Sequence, residues 1–229
     1  MITAAVLIIL GSLTAFNVKI RQIYLTGSYK NRFNGMDFTA TKGLEKLYIK
    51  NANIIGVRIE KGNTEGVWLR GNAKDQYQVS YKDHALTLGL SKEGENLGSS
   101  IWGEVIIVTK TLSAVQSTSS VIDKDKRYDA GTISMTGLQL DKLSLQISSG
   151  VTVSLGQMQI DELKATVGDK TGTEAGLNIS STTQIRSAEL NVPGKSSLVL
   201  ANPKITKATY NLSDSATVTV NGKMVQLIK

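Results

Sequence analysis

The chain contains no cysteine. That absence excludes disulfides, a thiol nucleophile, a lipid-modified cysteine and any thiolate metal site. It leaves the compartment open, because disulfide-free proteins occur on both sides of a membrane. Histidine is almost as scarce. His84 is the single one, so no histidine-based triad, facial triad or paired-histidine metal site can be assembled. Proline occurs twice and aromatics make up 5% of the 229 residues, against 21 glycines. Such a composition suits many short strands joined by tight turns, with aliphatic side chains stacking inside. The net charge is +7, yet no basic stripe interleaved with aromatics runs along the chain, so nucleic acid is not an expected partner.

What the chain does have is a repeat. From Leu138 to Lys229 one pattern returns about every twenty residues, with first members Leu140, Ile160, Ile185, Ile205 and Val225. Behind each start the apolar residues alternate: Leu143/Leu145/Ile147, Leu163/Ala165/Val167, Ala188/Leu190/Val192 and Ala208/Tyr210/Leu212. A second alternating pair follows in each unit, from Val153/Leu155 to Val218/Val220. The five extra residues of one long unit fall mostly in the turn-like stretch Asp169 to Gly176. Period-2 alternation within a fixed repeat predicts an all-β chain folded as a β-solenoid of roughly 20-residue coils. Less regular strands begin at Gly43, separated by turn signals such as Lys61-Gly62-Asn63. Residues 43–229 therefore read as one continuous solenoid domain, irregular at first and regular later. Its inner columns of Leu, Ile, Val and Ala leave no room for a ligand, which directs any binding to an outer face, a loop or an end.

Ahead of that domain, residues 1–18 form an uncharged apolar run containing Ala4, Val6, Leu7, Ile8, Ile9, Leu10, Leu13 and Phe16. Seventeen helical residues reach about 25 Å, enough for one transmembrane helix with little tilt. A cleaved signal peptide is the rival reading and a buried core helix the third. Residues 19–42 read as a basic connector. Within it Lys19 and Arg21 are placed to meet anionic lipid headgroups. Basic residues on the C-terminal side favour a cytoplasmic body, whereas a hidden basic flank before Met1 would reverse that topology.

Candidate chemistry is sparse. Asp141 and Asp161 share an outer column with Arg186, and two carboxylates on adjacent coils are the ingredients of an acid/base pair. Lys142 and Lys164 lie beside them as neutralising partners, and the column turns neutral after Arg186. Asp123, Asp125 and Asp129 crowd one loop, but interleaved Lys124, Lys126 and Arg127 make it a solvated loop rather than a calcium site. Trp102 closes a Gly/Ser-rich loop, where an exposed aromatic can stack on sugars or dock a partner. The uncharged column Gln146, Thr166, Asn191 and Asn211 reads as a hydrogen-bonded ladder holding coils in register. Trp102, Asp141, Asp161 and Arg186 are thus the candidate partner-binding surface. No catalytic, metal or cofactor site is expected.

The motifs Leu44-Glu45-Lys46-Leu47-Tyr48-Ile49, Val57-Arg58-Ile59-Glu60-Lys61-Gly62 and Val67-Trp68-Leu69-Arg70-Gly71, with Ser149-Gly150-Val151-Thr152-Val153-Ser154-Leu155 and Ser213 to Val220 later on, resemble the "putative auto-transporter adhesin, head GIN domain" family of bacterial envelope proteins. The resemblance covers roughly residues 43 to 229. It implies a right-handed β-helix-like fold, exposure outside the cytoplasm and no catalytic residues to carry over. The resulting expectation is a non-enzymatic, single-pass membrane-anchored module, with its solenoid on the periplasmic or outer side. Its partners would be the lipid bilayer and an envelope protein or glycan. The alternative is a cytoplasmic, membrane-tethered solenoid that self-assembles end to end. A carbohydrate-active enzyme is the remote third reading.

Overall fold

The computed structural model describes residues 2–26, 31–97, 104–120, 131–170 and 172–222. The chain divides into two compact units, Met1–Met36 and Asp37–Lys229.

The first unit carries helix α1, Ile2–Thr26. Nothing in Ile2–Thr26 breaks a helix, so it runs on past Val18 and takes Lys19 and Arg21 into its own turns instead of leaving them in a connector. Leu13, Phe16, Val18 and Ile20 are exposed on it, while the side chains of Ala4, Val6, Leu7, Ile8, Ile9 and Leu10 lie outside those described. Among the described residues no helix is long and apolar enough to cross a membrane. This overturns the expected transmembrane anchor and, with it, the single-pass membrane placement.

The second unit is mostly β. Its first half holds β1 (Met36–Ala40), β2 (Lys46–Ile49), β3 (Val57–Lys61), β4 (Gly66–Arg70), β5 (Tyr77–Lys82), β6 (Ala85–Leu90), the single-turn helix α2 (Lys92–Leu97), β7 (Val105–Thr109) and β8 (Ala114–Ser117). The second half alternates short and long strands: β9 (Gly131–Thr136), β10 (Gln139–Ile147), β11 (Val151–Gly156), β12 (Gln159–Val167), β13 (Gly176–Ile179), β14 (Gln184–Val192), β15 (Ser197–Ala201), β16 (Lys204–Leu212) and β17 (Thr217–Asn221). They assemble into a nine-stranded sheet ordered β1-β4-β7-β3-β9-β11-β13-β15-β17 and an eight-stranded sheet ordered β16-β14-β12-β10-β8-β2-β6-β5.

In the second half, strands pair in parallel with the strand one repeat away, as Leu143 with Leu163, Leu163 with Ala188, and Ala188 with Ala208. Both sheets are nonetheless mixed. β4 runs antiparallel to β7 and β5 antiparallel to β6. The β5–β6 hairpin turns on Asp83 and His84, whose φ values of 49° and 60° are the left-handed pair that a two-residue hairpin loop requires. The predicted β-solenoid is therefore corrected to two mixed sheets with no closed solenoid or barrel. The physical reason is that alternation and repeat length specify which side chains turn inward and which residues pair. They carry no information on how the sheets close, or on hairpins inserted where the repeat is weak.

One continuous apolar core is drawn from both sheets. Burial alternates residue by residue along the long strands, as in β12, where Leu163, Ala165 and Val167 are buried while Lys164 is exposed. One break in the alternation recurs: Asp141 and Lys142, and likewise Asp161 and Glu162, are exposed in succession before Leu143 and Leu163 turn inward. Burial fades at the last repeat, where Ala208, Tyr210, Val218 and Val220 are only half-buried.

Candidate binding surface

The outer face of the eight-stranded sheet is where the second half of the chain presents its chemistry. Because side chains alternate across a strand and parallel partners keep register, equivalent outward residues line up in rows that cross the sheet, with adjacent strands about 4.8 Å apart. Two kinds of row result.

The charged rows are internally neutralised. Lys142 Nζ lies 3.2 Å from Glu162 Oε2, Lys164 Nζ 2.9 Å from Glu189 Oε2, and Arg186 Nη2 donates to Asp161 Oδ2 at 2.9 Å. The Glu189 carboxylate, hydrogen-bonded to Lys164 and attracting it, raises that ammonium's pKa. All six side chains are largely solvated, so solvent screening leaves the pairs contributing little to stability. The two carboxylates weighed as an acid/base pair are thus separated in role. Asp161 belongs to Arg186, and Asp141 makes no ion pair among the described residues. Lys142 and Lys164 neutralise Glu162 and Glu189 rather than the aspartates.

The uncharged row behaves differently. Starting from Tyr48 on β2, the register runs one way to Thr87 on β6 and Ser80 on β5. The other way it runs through Gln116 and Gln146 to Thr166, Asn191 and Asn211. Every residue of the row is exposed or half-buried. The ladder expected of Gln146, Thr166, Asn191 and Asn211 does not form: among the described residues no side chain of this row hydrogen-bonds to another group. Amide and hydroxyl groups left without an internal partner are tolerated only where water or a ligand satisfies them. Stacked-amide pairing does occur at the opposite end of the same strands, where Gln139 Nε2 donates to Gln159 Oε1 at 3.2 Å. Its nearest equivalent near the strand ends is a serine cluster, with Ser148 Oγ 3.1 Å from Ser117 Oγ and 3.0 Å from Ser119 Oγ.

Among the described residues, three open depressions on this face stand out. The largest, about 400 Å³, is lined by Glu162, Lys164, Arg186, Glu189, Thr206 and Lys207. Two others, about 310 and 250 Å³, flank the uncharged row and share Gln146 and Thr166. Of the residues singled out from sequence, Asp161 and Arg186 are brought together and Arg186 lines the largest depression. Asp141 stands one repeat away, and Trp102 lies outside the described residues, as do the loop Asp123–Asp129 and the strand Val225–Ile228. Lys19 and Arg21 are exposed on α1. Sequence reasoning missed Tyr48 and Gln116, because they belong to the irregular first half, where no repeat aligned them with the later column.

Elsewhere the polar groups are structural. His84 Nδ1 lies 2.9 Å from the Gly43 carbonyl oxygen. Trp68 is half-buried in β4, stacked on Phe38 with centroids 4.4 Å apart. Burial pushes the Tyr77 phenol up to about 12. Among the described residues no group of three or more His, Asp or Glu is placed to hold a metal ion.

No family model and no curated protein matches the chain. Solved structures do. A "putative adhesin" of Bacteroides fragilis superposes with a TM-score of 0.50 at 16% identity, over 81% of this chain and 94% of that one. A "putative lipid binding protein" of Parabacteroides distasonis gives a TM-score of 0.43 at 13% identity, over 82% and 96%. A "putative adhesin" of Parabacteroides merdae gives 0.31 at 13% identity, over 82% and 95%. The first shares the fold of this chain, and the other two superpose too loosely to carry an argument.

Proposed function

We propose that the chain is a non-enzymatic binding protein of adhesin type, which holds an envelope protein or glycan against the outer face of its eight-stranded sheet. One observation carries the reading. The interior is filled with aliphatic side chains, while the outer face offers open depressions beside a row of hydrogen-bonding groups that have no partner within the protein. The fold shared with an adhesin-named protein supports it. The arrangement of charge fits binding better than chemistry, since each carboxylate beside the largest depression already holds a lysine. Lys19 and Arg21, exposed on α1, are assigned to contact with anionic surfaces such as lipid headgroups.

The test uses the fluorescently labelled full chain and fragments of bacterial envelope. Saturable retention is expected, lost in Thr166→Arg on the eight-stranded sheet and kept in Thr132→Arg on the nine-stranded one. Absence of retention would overturn the reading. So would time-dependent release of soluble sugar that disappears in Asp161→Asn, because that is turnover.

A further inference from the structure

Granting that the eight-stranded sheet is the binding face, we infer that the uncharged row containing Tyr48 is a track for an extended, neutral polysaccharide lying across the strands. The row spans all eight strands of the sheet, and seven steps of about 4.8 Å make it roughly 34 Å long. That step is comparable with the advance per ring of an extended β-linked pyranose chain, so successive sugars meet successive strands and find a similar group at each.

The chemistry of the row matches the chemistry of sugar hydroxyls. A hydroxyl both donates and accepts, and each Gln, Asn, Thr, Ser or Tyr side chain here can do the same. None of those side chains is committed to an internal hydrogen bond, so a ligand displaces water and not an existing contact. Tyr48, exposed on the third strand of the row, adds a flat apolar ring with a polar tip on which one pyranose face can stack. The depressions of about 310 and 250 Å³ on the two flanks of Gln146 and Thr166 provide relief for rings that stand out from the chain axis.

Neutrality is the discriminating feature. The row holds no cation to receive a carboxylate, sulfate or phosphate. In the neighbouring row Lys164 is already held by Glu189, while the exposed Lys46 lies in that adjacent row and not in the track itself. A protein partner fits less well: the row has one aromatic and no aliphatic side chain to form the apolar centre of a protein interface. Strand addition would use a sheet edge, not its face.

Native electrophoresis of the full chain through gels containing glucomannan, mixed-linkage β-glucan or arabinoxylan tests the inference, with polygalacturonate as the anionic comparison. Retardation that depends on the row is expected in at least one neutral gel, whereas any retardation in polygalacturonate, which the net charge of +7 produces by itself, should be the same in the row variants. Affinity should weaken about tenfold or more in Tyr48→Ala and in the double variant Thr166→Ala/Asn191→Ala, equivalent to about 1.4 kcal/mol. Thr132→Ala on the other sheet should leave it unchanged. Should the double variant fail to fold, Asn191→Asp keeps the shape, places a charge in the row, and should weaken retardation likewise. No retardation in any neutral gel overturns the inference, as does retardation that all row variants preserve. Envelope retention that Thr166→Arg abolishes, without neutral-glycan retardation, leaves the binding reading standing and refutes the glycan. Absence of both refutes both.

Discussion

Gly131→Ala is expected to destabilise the protein, although alanine is ordinarily the better strand residue. Gly131 opens β9 and is buried, pairing with Val151 while its N–H donates to the Gly150 carbonyl oxygen at 3.0 Å. A Cβ there would fall on the Ala52 carbonyl oxygen, 2.7 Å from its carbonyl carbon and 2.8 Å from the Asn53 Cα. These are backbone atoms, and Ala52 is tied by its own N–H to the Thr118 carbonyl oxygen at 2.9 Å, so the clash is relieved only by moving a strand connection. Removing glycine's excess freedom in the unfolded chain is worth about 0.4–1 kcal/mol in favour of alanine. Overpacking costs about 1–3 kcal/mol, and a backbone obstacle puts this site toward the upper part of that range. The net loss is about 1–2 kcal/mol, or a fall of roughly 0.5–1 M in the urea midpoint at ordinary denaturant slopes. Gly156, closing β11, is the control. Its nearest neighbour would be Ser180 Oγ at 3.9 Å, so Gly156→Ala should be neutral or stabilising by up to about 1 kcal/mol. Urea unfolding followed by far-UV circular dichroism reads both variants. A Gly131→Ala protein as stable as the parent would refute the close approach of β9 to the Ala52 connection.

Other consequences follow from burial and charge. Leu190→Ala, at a fully buried position of β14, should cost about 2–5 kcal/mol in the same assay, whereas Val220→Ala on half-buried β17 should cost about 1 kcal/mol. A Val220→Ala loss as large as that of Leu190→Ala would show that the last repeat is as well packed as the others. Arg186→Ala should change stability by less than about 1 kcal/mol, because its pair with Asp161 is solvated. A larger loss would mean the pair is sequestered from water. Tyr77 titrates at about 12 when folded and near 10.0 when unfolded. The unfolded chain therefore releases its proton first, and stability should be intact below pH 10 and fall between pH 10 and 12. Tyr77→Phe should flatten that fall in pH-dependent unfolding, and an unchanged slope would count against the burial of the phenol.

Much of the second half was legible because two periodicities coincide there. Leu143/Leu145/Ile147 and Leu163/Ala165/Val167 alternate with period two and recur after twenty residues. That combination fixes both the inward face and the pairing partner, as the register of β10 with β12 shows. In the first half a turn at Lys82-Asp83-His84 between two strands was legible, but not that those strands pair antiparallel, because Asp83-His84 lacks the glycine that usually marks a two-residue hairpin loop and its left-handed backbone angles are visible only in three dimensions. The N-terminal run was misread because hydropathy ends at Val18 but helix propensity does not, so α1 carries Lys19 and Arg21. The row of Gln146, Thr166, Asn191 and Asn211 was recognised as a column and assigned the wrong task. Stacking brings such side chains into line, but whether their donors and acceptors meet depends on rotamers that the sequence does not specify. Asp141 and Asp161 illustrate the same limit, since the ion pair that forms, Asp161 with Arg186, crosses a longer repeat.

The most direct measurement follows the side-chain amide NMR signals of Gln116, Gln146, Asn191 and Asn211 while a bacterial envelope polysaccharide extract is titrated into the full chain. Shifts confined to these amides, with the Asn178 amide on the nine-stranded sheet unmoved, are the predicted result. Shifts centred on Asn178, or none at saturating extract, would contradict a binding face on the eight-stranded sheet.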